Sequence, residues 1–300
     1  SRPRGFGGPC FMAFQGEAFA PGHVTAFFVG YDDPDPVKKG SRGVGLCTTL
    51  GVHTIVRARE SRTASIEVFL NDERARALTT ERAAKLLLGD GGYEVKILHT
   101  VQLPISQGFG MSGAGALSTV LALNEALDLG TSRDEIVAIA HRADVESGTG
   151  LGDVMPQATG GMDLRVRPGA SPHGLVRRFT VDSEIFLCSV GPPFVKGTVL
   201  ANPKMLETIR TVGLRCLEAF EKSPSFEAMF DLGRTFAFET GLASAKVREC
   251  VEAMRAYGRA SMSMLGHSVF AVGGEIALTV LRSYGTVYRC RVDNEGARVV

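Results

Sequence analysis

The sequence of 300 residues lacks both an excess of charge and a long apolar run. Its 33 lysines and arginines nearly match its 32 aspartates and glutamates, and the formal net charge is +1. Proteins dedicated to nucleic acids or to membrane surfaces carry a strong basic excess, so this balance argues against both kinds of partner. No apolar run approaches the ~18 residues that a membrane-spanning helix needs.

Cysteines are few and scattered. None of the six forms a C-x-x-C pair, which argues against a zinc ribbon and a thioredoxin-type redox site; they are Cys10, Cys47, Cys188, Cys216, Cys250 and Cys290. Buried, reduced thiols are usual in cytosolic proteins, so we expect a cytoplasmic location. The first eight residues contain no uninterrupted apolar segment of the signal-peptide kind, and we expect residues 1–15 to be a poorly ordered extension.

Glycine, by contrast, is abundant: 36 of the 300 residues, or 12%, against a usual ~7%. Such an excess indicates either many tight turns or backbone that must come close to a ligand. Much of it is concentrated in four clusters, at residues 40–45, 108–115, 148–152 and 160–161.

The pattern of elements predicts an α+β fold. Short strands separated by Gly and Pro turns are expected before residue 70, among them a strand that ends at Pro21-Gly22. Helices are expected at 79–88, 112–129 and 132–147, the last beginning with a capping box of Ser132 and Glu135. Strands and helices then mix, without the regular alternation of a parallel βαβ sheet; the further helices are expected at 203–221, 226–239 and 245–257.

The most informative segment is the glycine loop at 104–116, PISQGFGMSGAGA. It precedes a predicted helix, whose first N–H groups have no partner within the helix and can bind an anion. Gly113, Ala114 and Gly115 would let a phosphate approach the backbone, and Ser112 adds a hydroxyl for capping or for a metal ion. A tight strand-to-helix connection without a ligand is the alternative.

Two common nucleotide motifs do not account for this loop. Gly108, Gly110 and Gly113 satisfy G-x-G-x-x-G, but that dinucleotide fingerprint requires a second strand with an acidic residue about 20 residues on. Here a second, capped helix follows instead. A Walker loop is excluded as well, because no Gly-Lys-Ser/Thr is present.

The loop resembles the second motif of the GHMP kinase superfamily, P-x-x-x-G-L-G-S-S-A-A. The matching residues, which the resemblance assigns to the ATP phosphates, are Gly108, Phe109, Gly110, Met111, Ser112, Gly113 and Ala114. Ala20-Pro21-Gly22-His23 lies where the first motif is expected, without its usual basic residue. The segment 261–271 lies where the third, glycine-rich motif is expected.

With the segments at 39–45 and 148–154, these departures resemble the archaeal pantoate kinase branch of the superfamily. The resemblance implies a two-domain fold: an N-terminal ribosomal-S5-like domain at 16–175 and a C-terminal ferredoxin-like domain at 176–300. It also implies ATP and Mg²⁺ as cofactors, and pantoate as a small-molecule substrate phosphorylated for coenzyme A synthesis. A homodimer is expected as well.

The resemblance assigns roles to individual residues. Asp153 is the expected base for the substrate hydroxyl, and Ser112 and Glu146 are the expected metal ligands, with Asp144 as a rival to Glu146 because residues two apart on a helix face different ways. The carboxylate of pantoate favours a fork-shaped arginine donor. We therefore expect the substrate site to contain Arg42, together with Ser41 and His23.

Two alternatives stay open at this point. The protein could be a GHMP kinase for another small hydroxy acid or alcohol. It could also be a non-catalytic protein that keeps the fold to bind a nucleotide or metabolite.

Overall fold

The computed structural model describes residues 13–89, 91–194 and 202–300. Most of the predicted extension, and Cys10 within it, lies outside this part of the chain. The other five cysteines are buried free thiols. No helix in the described part is long and apolar enough to cross a bilayer.

The first sheet is built on two long antiparallel strands, β1 (Phe14–Tyr31) and β2 (Gly40–Glu60). The expected break at Pro21-Gly22 was wrong, because β1 runs through this dipeptide with a register shift against β2. Proline has no N–H to donate to the ladder, and an irregularity of this kind lets a strand accommodate it. One continuous strand therefore stands where two short ones were expected.

The first sheet divides in two along β2. Its remaining strands are β3 (Ser65–Leu70), β4 (Glu73–Ala75), β5 (Tyr93–Val101), β6 (Met162–Arg167), β7 (Leu175–Phe179) and β12 (Arg298–Val299). The second half of β2 pairs with β5, in the order β12-β1-β2-β5-β3-β4. The first half pairs with β6, which pairs with β7. Because of this division, the first half of β2, which contains most of the 39–45 segment, lies between β1 and β6.

The second sheet is antiparallel, in the order β11-β8-β10-β9. Its strands are β8 (Glu184–Ser189), β9 (Gly258–Met262), β10 (Ser268–Gly273) and β11 (Thr286–Arg291). The chain changes sheet between β7 and β8, a few residues after the predicted boundary at 175/176. Because β12 returns to the first sheet, the division into two domains stays a prediction.

The helices confirm the α+β prediction. They are α1 (Leu78–Leu88), α2 (Met111–Leu127), α3 (Arg133–Glu146), α4 (Val154–Thr159), α5 (Pro203–Lys222), α6 (Phe226–Glu239), α7 (Ala245–Met254) and α8 (Glu275–Tyr284). The expected capping box is present: the Ser132 side chain accepts from the Glu135 N–H, and the Glu135 side chain accepts from the Ser132 N–H.

Strand β1 carries the core that joins the two halves of the molecule. Helix α2 packs against β1 and β2, while α5 and α6 also pack against β1. The aromatic pairs Phe27–Phe220 and Phe28–Phe236, with ring centroids 6.1 and 5.7 Å apart, join β1 to α5 and α6 respectively. Phe27 and Phe28 thus lie a few residues along the same strand from His23.

A buried polar cluster around His99 ties the first sheet to its helices. The His99 ring contacts the hydroxyls of Thr54 (2.8 Å) and Thr80 (3.1 Å), and Thr54 also contacts Ser118 (2.6 Å). Burial lowers the pKa of His99 to about 4, so this ring is neutral near pH 7. Its hydroxyl partners suit a neutral imidazole, which donates at one nitrogen and accepts at the other.

Candidate active site

A cavity of about 900 Å³ opens between the glycine loop, the loop at 148–153 and helix α5. Five of its lining side chains carry the chemistry considered below: Ser41, Ser112, Asp144, Asp153 and Arg165. The backbone from Gly108 to Gly113 forms one wall. Ala114, the last residue of the expected phosphate loop, is buried beneath this wall.

The glycine loop is held from behind through its carbonyl groups. Three consecutive carbonyl oxygens accept hydrogen bonds from the protein: Gly108 O from Ser263 Oγ (2.6 Å), Phe109 O from His23 N (3.0 Å) and Gly110 O from Gln157 Nε2 (2.8 Å). The N–H and C=O of a trans peptide point in opposite directions. The N–H groups of Phe109, Gly110 and Met111 therefore face away from these donors.

Helix α2 begins directly after this loop, at Met111. Its first helical hydrogen bond runs from Ala114 N to Gly110 O, so the N–H groups of Met111, Ser112 and Gly113 have no partner within the helix. Together with the loop N–H groups, they form a row of donors at the positive end of a helix. That arrangement suits an anion such as phosphate.

Gly110 cannot be replaced without disturbing this arrangement. Its φ is +70°, in the left-handed region, and a Cβ atom there would lie 2.8 Å from Gln157 Nε2. A side chain would add backbone strain and push away the group that holds the Gly110 carbonyl.

Of the two acids at the end of α3, the structure brings Asp144 to the cavity. Asp144 is buried, lines the cavity, and accepts a hydrogen bond from Thr149 Oγ1 at 2.6 Å. Its Oδ2 lies 3.6 Å from the position of a Cβ on Gly113. Glu146 lies instead at the half-exposed end of the helix, 2.7 Å from Arg142 and 3.8 Å from Arg82, and it is not among the lining residues.

A row of acidic and basic side chains, buried except for Asp153 at its end, lies along the other wall of the cavity. His23 Nδ1 is 2.9 Å from Asp153 Oδ1, and His23 Nε2 is 2.7 Å from Asp163 Oδ1. Arg165 Nε lies 3.5 Å from Asp163 Oδ2. Acidic and basic groups alternate along this row from Asp153 to Arg165, so each carboxylate has a basic group beside it.

Glycines in the central strand make this row possible. His23 stands on β1, and Asp163 and Arg165 stand on β6, with β2 between them. Strands two places apart lie about 10 Å from each other. Their side chains can therefore meet only where the strand between them has no bulky side chain on that face. Opposite Asp163 and Arg165, β2 has Gly45 and Gly43. A Cβ on Gly45 would lie 2.6 Å from His23 Nε2.

Arg165 also binds the two hydroxyls that flank the cavity. Its Nη1 donates to Ser41 Oγ at 3.2 Å and its Nη2 to Thr25 Oγ1 at 3.1 Å. Ser41, one of the expected substrate contacts, thus lies at the cavity. Arg42, its neighbour on β2, points to the opposite face of the strand and is paired with Glu221 on α5 at 2.6 Å.

His23 is placed differently from the expected substrate contact. Its ring is buried and both ring nitrogens face carboxylates. Burial by itself would lower the pKa of His23, but the charge of Asp163 and the hydrogen bonds to Asp153 and Asp163 together raise it above its ordinary value.

Sequence reasoning missed Asp163 and Arg165. A usable signal was present, since two charged residues alternate with apolar ones in Met162–Val166 and therefore share one face of a strand. Both are buried, and buried charges in a strand require partners.

Comparison with known proteins agrees with this geometry. The family model of the GHMP kinases N terminal domain matches residues 77–161. The pantoate kinase of Methanocaldococcus jannaschii is 32% identical over 272 residues, which cover 88% of this chain and 97% of that protein. The chain belongs to the pantoate kinase family of GHMP kinases. It is a phosphotransferase that acts on an alcohol group, as the resemblance implies.

Two further relatives support this family assignment. The pantoate kinase of Thermococcus kodakarensis is 32% identical over 264 residues, covering 85% of this chain and 86% of that protein. A solved structure described as a phosphotransferase related to the CoA biosynthesis pathway superposes with a TM-score of 0.86 at 29% identity, covering 95% of this chain and 98% of that one. The predicted GHMP kinase fold is thereby confirmed.

The cradle interpretation predicts unequal effects for two glycines with the same backbone conformation. Gly110→Ala should weaken ATP binding at least about tenfold, or ~1.4 kcal/mol, because it displaces the N–H donors. Gly130 has φ +65° and open space around it, so Gly130→Ala should lose only the stability that the backbone strain costs, ~1 kcal/mol, and keep its affinity for ATP. Calorimetric titration with ATP and urea unfolding of both variants check this. Equal ATP affinities would contradict it.

Proposed function

We propose that this protein transfers the γ-phosphoryl group of ATP to the hydroxyl of (R)-pantoate, giving 4-phosphopantoate for coenzyme A synthesis. One observation carries the proposal: a phosphate cradle, an aspartate and a buried arginine line the same cavity. Pantoate has a carboxylate to be bound and a hydroxyl to be phosphorylated, and the cavity has a group for each. The pantoate kinases reported above support this choice of substrate.

Arg165 is the proposed partner of the substrate carboxylate. A guanidinium has five N–H donors in a planar fork that matches a carboxylate. Its hydrogen bonds to Ser41 and Thr25 use one donor on each terminal nitrogen and fix its plane. Arg42, which the sequence favoured, is held by Glu221 outside the lining of the cavity.

The proposed reaction is a direct phosphoryl transfer. The substrate hydroxyl oxygen forms a bond to the γ-phosphorus while the bond from that phosphorus to the β–γ bridging oxygen breaks, and ADP leaves. Asp153 accepts the hydroxyl proton. Most of the catalysis comes from positioning and from neutralising the phosphate charge, which here is the work of the loop N–H groups and the start of α2.

The donor set at the cradle fits Mg²⁺. This hard cation prefers oxygen ligands, and in kinases it is held by one or two protein groups together with substrate phosphates. Asp144 and Ser112 line the cavity at the start of α2. In the described part of the chain no group of three or more His, Cys, Asp or Glu could hold a metal ion by itself. We propose that Asp144, rather than Glu146, shares the ion with Ser112; when bound, Mg²⁺ would neutralise phosphate charge.

The proposal is tested by a substrate panel. Purified protein with ATP and Mg²⁺ should convert pantoate to an acid-stable phosphate ester, with far lower kcat/KM for homoserine, shikimate and mevalonate. Turnover of another panel member in preference to pantoate would reassign the substrate. ATP binding without turnover of any of them would favour a nucleotide-binding protein over an enzyme.

Two arginine variants separate the candidate carboxylate partners. Arg165→Lys keeps the buried positive charge but loses the fork, so we expect KM for pantoate to rise at least about tenfold, ~1.4 kcal/mol, with KM for ATP little changed. The matched control, Arg42→Lys, should leave both constants within about twofold, because an exposed ion pair contributes little. The reverse result would restore Arg42 as the substrate contact.

A second pair of variants decides between the two acids of α3. Asp144→Asn should lower kcat at least about tenfold, ~1.4 kcal/mol of barrier, and raise the Mg²⁺ concentration needed for half-maximal rate. Glu146→Gln removes an acid two residues away that pairs with Arg142, and it should have nearly wild-type kinetics. A larger effect at Glu146 would contradict the assignment.

The cytoplasmic location and the homodimer stay predictions.

A further inference from the structure

We propose that His23 is a positioning residue: an imidazolium, anchored by Asp163, that fixes the carboxylate of Asp153 toward the substrate hydroxyl. The inference rests on the proposed function in one respect, the role of Asp153 as base. It assigns to His23 no contact with ATP or pantoate.

The first argument is the count of protons. Both ring nitrogens of His23 lie within hydrogen-bond distance of a carboxylate oxygen, at 2.9 and 2.7 Å. A neutral imidazole has one N–H, and its other nitrogen would then face a carboxylate lone pair. Two N–H donors for two ionised carboxylates require the doubly protonated ring. His99, with its hydroxyl partners, shows the contrasting neutral case.

The second argument is the charge around the ring. The charged groups that face it are Asp153 from the start of α4, and Asp163 and Arg165 from β6. On β2, the cross-strand partner of His23 is Cys47, and burial together with the charges of Asp163 and Asp293 raises the pKa of that thiol well above its ordinary value, so the thiol is neutral. With His23 charged, the two acids and the two bases balance.

The third argument is rigidity. The His23 backbone N–H donates to Phe109 O in the glycine loop, while its side chain holds Asp153. One residue of β1 therefore sets the place of both the phosphate loop and the base. Because His23 already has a proton on each nitrogen, it does not take the substrate proton.

The test uses two isosteric variants. The amide nitrogen of His23→Asn falls near the place of Nδ1 and keeps a donor to Asp153; that of His23→Gln falls near Nε2 and keeps one to Asp163. We expect His23→Gln to lower kcat at least tenfold and His23→Asn to lower it less, with both KM values within about threefold of wild type. Without the neighbouring positive charge Asp153 binds a proton more readily, so the acid limb of kcat should move to higher pH by about one unit in both.

His99→Gln is the matched control, a buried histidine outside the cavity lining. It should lower stability and leave the pH profile of kcat unmoved. A profile unchanged in both His23 variants would overturn the proposal. So would a raised KM for pantoate at unchanged kcat, which would make His23 a substrate contact.

A measurement without turnover keeps the two proposals separable, and its readout is the protonation state of the ring in the wild-type protein. In ¹⁵N-histidine-labelled wild type, one ring should keep the imidazolium signature at both nitrogens at pH 7, above the ordinary pKa of a histidine, and that signal should be absent from folded His23→Asn. A neutral His23 ring at pH 7 would overturn the inference even if pantoate is phosphorylated. If pantoate is not phosphorylated, an imidazolium at His23 would still uphold the inference, provided that the acid limb of kcat shifts as expected with another substrate.

Discussion

The buried alternation of charge from Asp153 through His23 and Asp163 to Arg165 is the constraint on which the site depends. An ion taken from water into a protein interior costs several kcal/mol unless an opposite charge lies beside it. Here each group neutralises its neighbour, and both ends of the row, Asp153 and Arg165, reach the cavity. The two groups proposed to contact the substrate are therefore held at a fixed separation by the charges between them.

The glycine excess has a second structural role, which is to let protein side chains from neighbouring strands meet. Some of it lies in the glycine loop that forms the proposed cradle. Gly43 and Gly45 serve another purpose, since they clear the central strand so that side chains from β1 and β6 can meet above it. A Cβ at Gly152 would likewise lie 2.3 Å from Ser41 Oγ. These glycines make room for protein side chains rather than for ligand.

Features of the fold that depend on residues close together in the sequence were predicted well. The capping box at Ser132 and the start of α2 depend on residues a few positions apart, and both could be found from the sequence. The choice between Asp144 and Glu146 could not, because spacing shows that two helix positions diverge but not which of them faces the cavity. Arg42 and Arg165 illustrate the same limit, because their surroundings are set by contacts between residues more than a hundred positions apart. Strand β1 shows in addition that strand pairing can override a turn signal such as Pro21-Gly22.

The cradle is held from behind by more than its own half of the chain. Gly108 O accepts from Ser263, just after β9, and Gln107 O accepts from Ser268, the first residue of β10, whereas the match to the GHMP kinases N terminal domain ends at residue 161. The phosphate loop is thus not an autonomous module. A recombinant fragment or an evolutionary shuffling event that moved the N-terminal segment alone would carry the loop's sequence without the hydroxyls that orient it.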